Sequence, residues 1–355
     1  MTSISIAPLK TDSQTTPFLT ALQGRVPART PFWLMRQAGR YLPEYRAVRQ
    51  QAGGFLAMCY TPDLATEVTL QPLRRFDMDA AIIFCDILVI PHALGQDLTF
   101  AEGEGPRLPS ISGEADLARL SISRVQDHMQ PVYQALRQTR AALPADKALI
   151  GFIGAPWTVA CYMIDGRGGD FPLARAMARD NPDLFQRIID LVTEASIGYL
   201  LGQIAAGANA VQIFDSWAAS AGADGFARWI VAPAKKIVAA VHAAYPGFPV
   251  IGFPRGCAMQ AAHYARETGV QAVGVDQHAN IGDVAASVAP DLCLQGNLNP
   301  ETLLAGGYDM AREAKQIMTA MAGRPFIFNL GHGIIKETPP EHVAQLADII
   351  RNFKA

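Results

Sequence analysis

Between Trp33 and Arg49 the sequence reads WLMRQAGRYLPEYRAVR, with four arginines (Arg36, Arg40, Arg46, Arg49) inside 14 positions, although the whole chain has a formal net charge of -2. The basic charge is therefore local. A guanidinium is permanently charged and presents a two-point fork that matches a carboxylate or phosphate. Arg36 follows the apolar run Pro31–Met35. This places Arg36 and Arg40 at a strand exit and in the loop beyond it, where functional residues concentrate. A polyanionic small molecule is the ligand that suits such a segment.

Other polar residues end apolar runs in the same way. Asp86 interrupts AAIIFCDILVI, and a carboxylate there is desolvated unless it is paired. Two readings stand: an internal salt bridge, with Arg36 as the candidate partner, or a ligand carboxylate that steadies a developing positive charge. Tyr162 lies in GFIGAPWTVACYM, behind a Gly154-Ala155-Pro156 turn that exposes the residues after it. Its hydroxyl either orients an acid or a substrate carboxylate, or is buried on one backbone partner. Trp157 and Phe152 read as apolar walls. Ser216, in VQIFDSW, either hydrogen-bonds a substrate edge or caps a helix. His332, in FIFNLGHGI, sits between Gly331 and Gly333. Glycines let backbone approach a ligand closely, and the exit of a late barrel strand is a common phosphate site. Arg255, Asp276 and Asn297 also stand at strand exits and read as structural partners in a lower ring.

The elements that must position these residues are short apolar, often β-branched segments: Pro31–Met35, Ala80–Cys85, Ala148–Ile153, Ala210–Phe214, Pro249–Phe253, Ala272–Val275, Leu292–Leu294 and Pro325–Asn329. Helical patterns separate most of them. Helix starts are announced by Thr61-Pro62-Asp63, Asn181-Pro182-Asp183, Asn299-Pro300-Glu301 and Thr338-Pro339-Pro340-Glu341, since proline lacks an N–H where a first turn needs none. In the second of these helices Leu184, Ile188, Leu191 and Ile197 form a stripe toward the core. Strands alternating with helices predict an α/β chain closed into one (β/α)8 TIM-type barrel over residues 19–355. Residues 1–18 read as a flexible N-terminus. The region Gly95–Ser123, with AEGEGPRLP, reads as a loop or hairpin insertion after the second strand. A last helix, Glu341–Phe353, should pack outside.

Composition narrows the function. At 355 residues, half hydrophobic and 17% charged, the chain can bury a large core. A sequence pI of 6.4 argues against nucleic acid as a partner, which prefers a basic domain. Cys59, Cys85, Cys161, Cys257 and Cys293 are scattered, with no CxxC spacing, so neither a metal cluster nor a redox motif is predicted, and a reducing cytosol fits. No apolar secretory core opens the sequence, and no run approaches the roughly 20 residues of a membrane span. A chain without membrane contact, in the cytoplasm, is expected. No Rossmann glycine fingerprint follows the first strand and no GxxxxGK[ST] occurs.

Several blocks resemble one family. PFWLMRQAGRYLPEYRAVR and GFIGAPWTVACYM are similar to the two signatures of the uroporphyrinogen decarboxylases; FDMDAAIIFCDILVIPHALG, VQIFDSW and FNLGHGI are similar to further blocks of that family, in the same order. The resemblance implies a cofactor-free and metal-free barrel enzyme, usually a homodimer. It removes carbon dioxide from the four acetate arms of uroporphyrinogen III to give coproporphyrinogen III on the haem route. It also implies catalytic roles for Asp86, Arg36, Tyr162 and His332, and substrate binding by Arg36, Gln37, Arg40, Asp86, Tyr162, Ser216 and His332. Arg49 belongs to the same first signature. Ala219 departs from the family, whose members often carry glycine there; if that position needs a positive φ, alanine is strained.

The chemistry is coherent with these residues. Decarboxylation leaves an electron pair, and a pyrrole accepts it if the ring carbon beside the acetate arm is first protonated. The ring is then cationic, and Asp86 would hold the pyrrole N–H groups and steady it. Arg36, or an acid that it positions, would deliver the proton or hold the departing carboxylate. Two other readings compete. A corrinoid or thiol methyltransferase on such a barrel needs zinc on a His-x-Cys pair, and no histidine stands two residues before Cys257 or Cys293. A non-catalytic tetrapyrrole carrier would explain the arginines but not Asp86, Tyr162 and His332 together.

Overall fold

The computed structural model describes residues 16–101 and 105–354. Seven strands form one parallel sheet in sequential order: β1 (Ala80–Ile82), β2 (Ala148–Gly154), β3 (Ala210–Asp215), β4 (Val250–Pro254), β5 (Ala272–Gly274), β6 (Cys293–Leu298) and β7 (Phe326–Leu330). Helices follow the strands, as right-handed parallel crossovers require. All residues of β2, β4, β6 and β7 are buried, which explains their nearly continuous apolar reading.

The eighth stave closes the ring but is not the strand expected over Pro31–Met35. It is a single parallel bridge, Phe32 to Phe328. On one side Phe328 N–H donates to Pro31 O at 2.9 Å; on the other Asp79 N–H donates to Phe32 O at 2.9 Å. The ladder stops because side chains take over its donors. Asp79 Oδ2 accepts the Phe32 N–H and Asn329 Oδ1 accepts the Met35 N–H, both at 2.9 Å. Asp79 is itself held by the Arg29 fork at 2.9 and 2.5 Å.

The interior is a packed core. Trp33, Met35, Ile150, Ile251, Phe253 and Ile327 fill it, and Phe18, Ala21 and Leu22 of helix Pro17–Leu22 plug its lower end. Of the segment 1–18 expected to be loose, residues 1–15 lie outside the described ones; Thr16 caps this helix by accepting the Leu19 N–H at 3.2 Å, and Pro17 and buried Phe18 belong to it, contrary to the expectation, because Phe18 packs into the barrel core. A polar chain crosses the interior: Trp33 Nε1 donates to Gln295 Oε1 at 2.9 Å, and Gln295 Nε2 donates to Gln212 Oε1 at 3.1 Å.

Helices Pro62–Phe76, Pro182–Ala205, Pro300–Ala305 and Pro340–Asn352 start at the proline signals. Asn181 and Asn299 cap through their side chains. Thr338 does not cap: the last helix begins one residue later than its signal, and Thr338 Oγ1 is buried without a partner. Helix Pro182–Ala205 has the length and apolarity of a membrane span, yet it is a barrel helix. Leu184 and Ile188 are buried as the stripe predicts, Leu191 and Ile197 only partly, and Phe185, Ile189 and Val192 complete the inner face. Within 95–123 a two-stranded antiparallel hairpin pairs Thr99–Ala101 with Gly105–Arg107.

Candidate active site

The polar residues that end the staves collect at the carboxyl end of the sheet, the functional end of such barrels. Arg36 follows the first stave with a φ of 61°, a left-handed conformation that disfavours any residue with a Cβ by about 1–2 kcal/mol. The residue before it, Met35, is pinned at both of its backbone groups. Asn329 binds the Met35 N–H, and Ile334 N–H donates to Met35 O at 2.9 Å. The Arg36 side chain is exposed and makes no ion pair among the described residues.

The other members of this first signature divide by role. Gln37, expected among the substrate contacts, is fully buried: its Oε1 accepts the Leu34 N–H and its Nε2 donates to Ala80 O, both at 3.1 Å. Its side chain therefore ties the first stave to β1. Arg46 braces the loop, donating to Arg40 O at 2.7 Å and Tyr41 O at 3.2 Å. Arg49 lies over the Phe55 ring, 5.9 Å from its centre. Arg36 and Arg40 are the two of the four whose guanidinium groups are exposed and make no hydrogen bond or ring contact among the described residues.

Asp86 stands four residues beyond β1, where Thr69 Oγ1 ends the strand by accepting the Phe84 N–H at 2.9 Å. Its Oδ1 accepts the Leu88 N–H at 2.8 Å. Among the described residues it has no ion pair, so the internal bridge to Arg36 does not form. Burial pushes its carboxyl above the ordinary range; the Leu88 N–H and the charge of Arg36 oppose that rise. The side chain keeps partial access to solvent. An unpaired carboxylate in such a place is poised for donors brought by a ligand.

Tyr162 lies on helix Pro156–Asp165 after β2. Trp217 Nε1 donates to its hydroxyl at 3.3 Å, and Phe171 meets its ring edge-on with 5.3 Å between centres. Burial raises its pKa, with the charges of Asp86 and Arg36 acting on it in opposite senses; the phenol stays protonated and can donate. Trp157, read as a wall, is instead buried behind the site, its Nε1 donating to Trp217 O and Ser220 Oγ at 3.1 Å. Phe152 and Phe214 meet edge-on at 5.6 Å, and Phe214 is partly accessible.

Ser216 follows β3 and does not cap the next helix, whose cap is Trp217. It is partly accessible. Ala219 is not among the non-glycine residues with positive φ (Arg36, Asp77, Phe171), so the strain considered there is absent. Asp215, the residue before Ser216, ends β3. It is buried, accepts the Thr158 hydroxyl at 2.6 Å, and burial pushes its carboxyl up to about 7. Thr158 Oγ1 in turn accepts the Trp217 N–H at 3.1 Å.

His332 follows β7. Burial, with the charges of Arg36 and Arg255, pushes its imidazole down to about 3, against the opposite pull of Asp276. It is neutral at physiological pH. Arg36 is thus the hub whose charge reaches Asp86, Tyr162 and His332. Arg40 stands apart from that group; its charge acts on Tyr45.

The residues of the lower ring differ in what holds them. Asp276 accepts the Gly256 N–H at 2.8 Å and the His278 N–H at 3.0 Å. Asn297 lies inside β6 rather than at its exit, because the strand runs on through polar Gln295 and Gly296. Its Nδ2 donates to Asp276 O at 3.0 Å and Ala279 O at 2.8 Å. Both are thus bonded to backbone of the fold. Arg255 has no such partner among the described residues.

Exposed arginines, an unpaired carboxylate, a phenol and a neutral imidazole at one end of the barrel suit a multiply anionic, N–H-bearing ligand. The family model for uroporphyrinogen decarboxylase (URO-D) matches residues 13–353. The chain belongs to the uroporphyrinogen decarboxylase family. It is 51% identical over 341 residues to the "Uroporphyrinogen decarboxylase" of Granulibacter bethesdensis, covering 95% of this chain and 99% of the relative. It is 47% identical over 336 residues to that of Rhodospirillum rubrum, covering 94% and 97%. Among solved structures, a methyltransferase from Methanosarcina mazei superposes with a TM-score of 0.80 at 21% identity, covering 96% of this chain and 99% of that one. That likeness shows that this chain shares its barrel fold with that protein.

Proposed function

We propose that this chain is a uroporphyrinogen decarboxylase, a carboxy-lyase that converts uroporphyrinogen III to coproporphyrinogen III by removing carbon dioxide from four acetate arms. The observation that carries this reading is Asp86: a carboxyl at the barrel mouth, unpaired, raised by burial and within reach of the field of Arg36. Pyrrole N–H donors lower such a carboxyl again and are held by its anion.

For each arm, the ring carbon beside it takes a proton and the ring becomes cationic. The bond to the carboxylate then breaks, carbon dioxide leaves, and its electron pair neutralises the ring. A second proton adds at the exocyclic carbon as the ring carbon gives one up, so each arm consumes one proton and releases one carbon dioxide. Asp86 steadies the cation electrostatically. Arg36 binds the carboxylate of the reacting arm, and Arg40 binds a peripheral one. Tyr162 donates from its phenol, while neutral His332 and Ser216 hydrogen-bond the substrate edge and fix its orientation. Gln37 serves through its backbone segment, its side chain being engaged within the fold.

Family likeness also supports a homodimer acting in the cytoplasm. Light scattering on purified protein tests the first, and fractionation the second. The activity itself is tested by anaerobic incubation with uroporphyrinogen III, scoring released carbon dioxide and coproporphyrinogen. Tight substrate binding with no carbon dioxide released would leave a carrier and sink the enzyme reading.

A further inference from the structure

Arg255 is the cation that the lower ring leaves over. It follows β4, and around the barrel β4 is the fifth stave counted from the Phe32 stave, diametrically across the mouth from Arg36. Its backbone is pinned on both sides: its N–H donates to Asp215 O at 3.1 Å, and its carbonyl accepts from Ala219 N–H at 3.3 Å. The next residue, Gly256, has a φ of 78° and is anchored by the Asp276 carboxylate. A Cβ on Gly256 would lie 2.7 Å from that of Ala219, so only glycine lets the two loops close at this point. The turn that presents Arg255 is therefore rigid.

The guanidinium is left short of a partner at one atom. Its Nε is sealed from solvent without a hydrogen-bond partner, and no ion pair to Arg255 occurs among the described residues. Two carboxyls belong to residues bonded to this turn, Asp215 and Asp276, and both are engaged elsewhere. Asp276 is held by two backbone N–H groups, and Asp215 takes the Thr158 hydroxyl. A half-buried guanidinium without an anion is unfavourable unless a ligand supplies one. Arg255 stands just past the carboxyl end of β4, at the mouth, and its charge acts on His332 together with that of Arg36.

We infer that Arg255 is a second carboxylate-binding arm of the site, holding a substrate carboxylate on the edge of the macrocycle opposite the one that Arg36 and Arg40 engage. This rests on the proposed function. A tetrapyrrole with carboxylate arms around its whole perimeter needs cations on both shores of the mouth, and the first-signature arginines supply only one.

The test compares Arg255→Gln and Arg255→Lys with the unaltered enzyme on uroporphyrinogen III. Removing one charge-assisted carboxylate contact should raise KM by about tenfold to a hundredfold with kcat little changed. Lysine should recover much of that loss, which a merely structural role would not show. The salt dependence of KM should also flatten in the glutamine variant. A KM for Arg255→Gln within about twofold of the unaltered enzyme overturns the inference. So does an equal loss in both variants accompanied by a lowered Tm. A second measurement needs no variant: phenylglyoxal should modify Arg255 in the free protein and spare it when coproporphyrin is bound, and equal labelling in both states overturns the inference. If the unaltered enzyme releases no carbon dioxide, the proposed function fails. If it does so and Arg255→Gln behaves like it, only this assignment fails.

Discussion

Gly333 has no side chain because Arg36 occupies the space. A Cβ there would lie 2.6 Å from Arg36 Cγ and 2.8 Å from Nε, with Cδ closer still. The two residues are 297 apart in sequence and meet where the barrel closes, since Ile334 N–H binds Met35 O. Gly333→Ala should therefore act as an Arg36 mutation. It should lower kcat by about tenfold to a hundredfold through misplacement of the guanidinium, with Tm little changed. Arg36→Ala should do at least as much. Arg40→Ala, outside the coupled group, should mainly raise KM. Equal, mild effects from Arg36→Ala and Arg40→Ala would mean that the segment only shapes the first loop.

Asp86→Asn keeps the shape and the Leu88 contact but removes the anion. Carbon dioxide release should fall by about a hundredfold or more, the scale of losing a preorganised electrostatic contact to a developing charge. A near-normal rate in single-turnover measurements would refute the role given to this carboxylate.

His332 is neutral throughout the physiological range, because its folded pKa lies near 3 rather than 6.5. It should give kcat/KM no acid limb near pH 6.5, and His332→Asn should leave the position of any such limb unmoved. The stability sign is definite as well. Between about 3 and 6.5 the unfolded chain holds the proton and the folded one does not, so stability from this group is complete above 6.5 and is lost as pH falls. Denaturant midpoints at several pH values, compared with those of His332→Asn, read the difference directly.

Asp215 has the opposite slope. Its folded pKa of about 7 exceeds the usual 3.8, so between those values the folded state holds the proton and the unfolded state has released it. Stability then falls as pH rises from about 4 to 7, by at most about 4 kcal/mol, and levels off above. Asp215→Asn keeps an acceptor for Thr158 and cannot ionise. Relative to the unaltered protein it should gain stability from pH 5 to about 8. A constant difference across that window in urea unfolding would show that Asp215 does not titrate there.

Local sequence determined the order of strands and helices and the identity of the residues ending them. An apolar run can lie in a parallel sheet only by being buried, and the first polar residue past it must emerge at one end. Arg36, Asp86 and His332 were legible on that ground; Tyr162, inside the helix after β2, was legible only from the turn before it and from the family blocks. Strands containing polar residues were not: β6 runs through Gln295 and Asn297, which an apolar pattern excludes.

Which polar residues remain available for a ligand was decided by the tertiary structure. Asp79 and Asn329 shorten the first stave by taking its N–H groups across sequence separations of 47 and 294 residues. Gln37, Asp276 and Asn297 are engaged by backbone from other staves, while Arg255 and Asp86 are left without a counter-ion among the described residues. Residue type fixes what a group can bind. Whether the fold has already satisfied it depends on neighbours brought together only when the barrel closes, and a buried group bonded to its own protein has nothing left to offer a substrate.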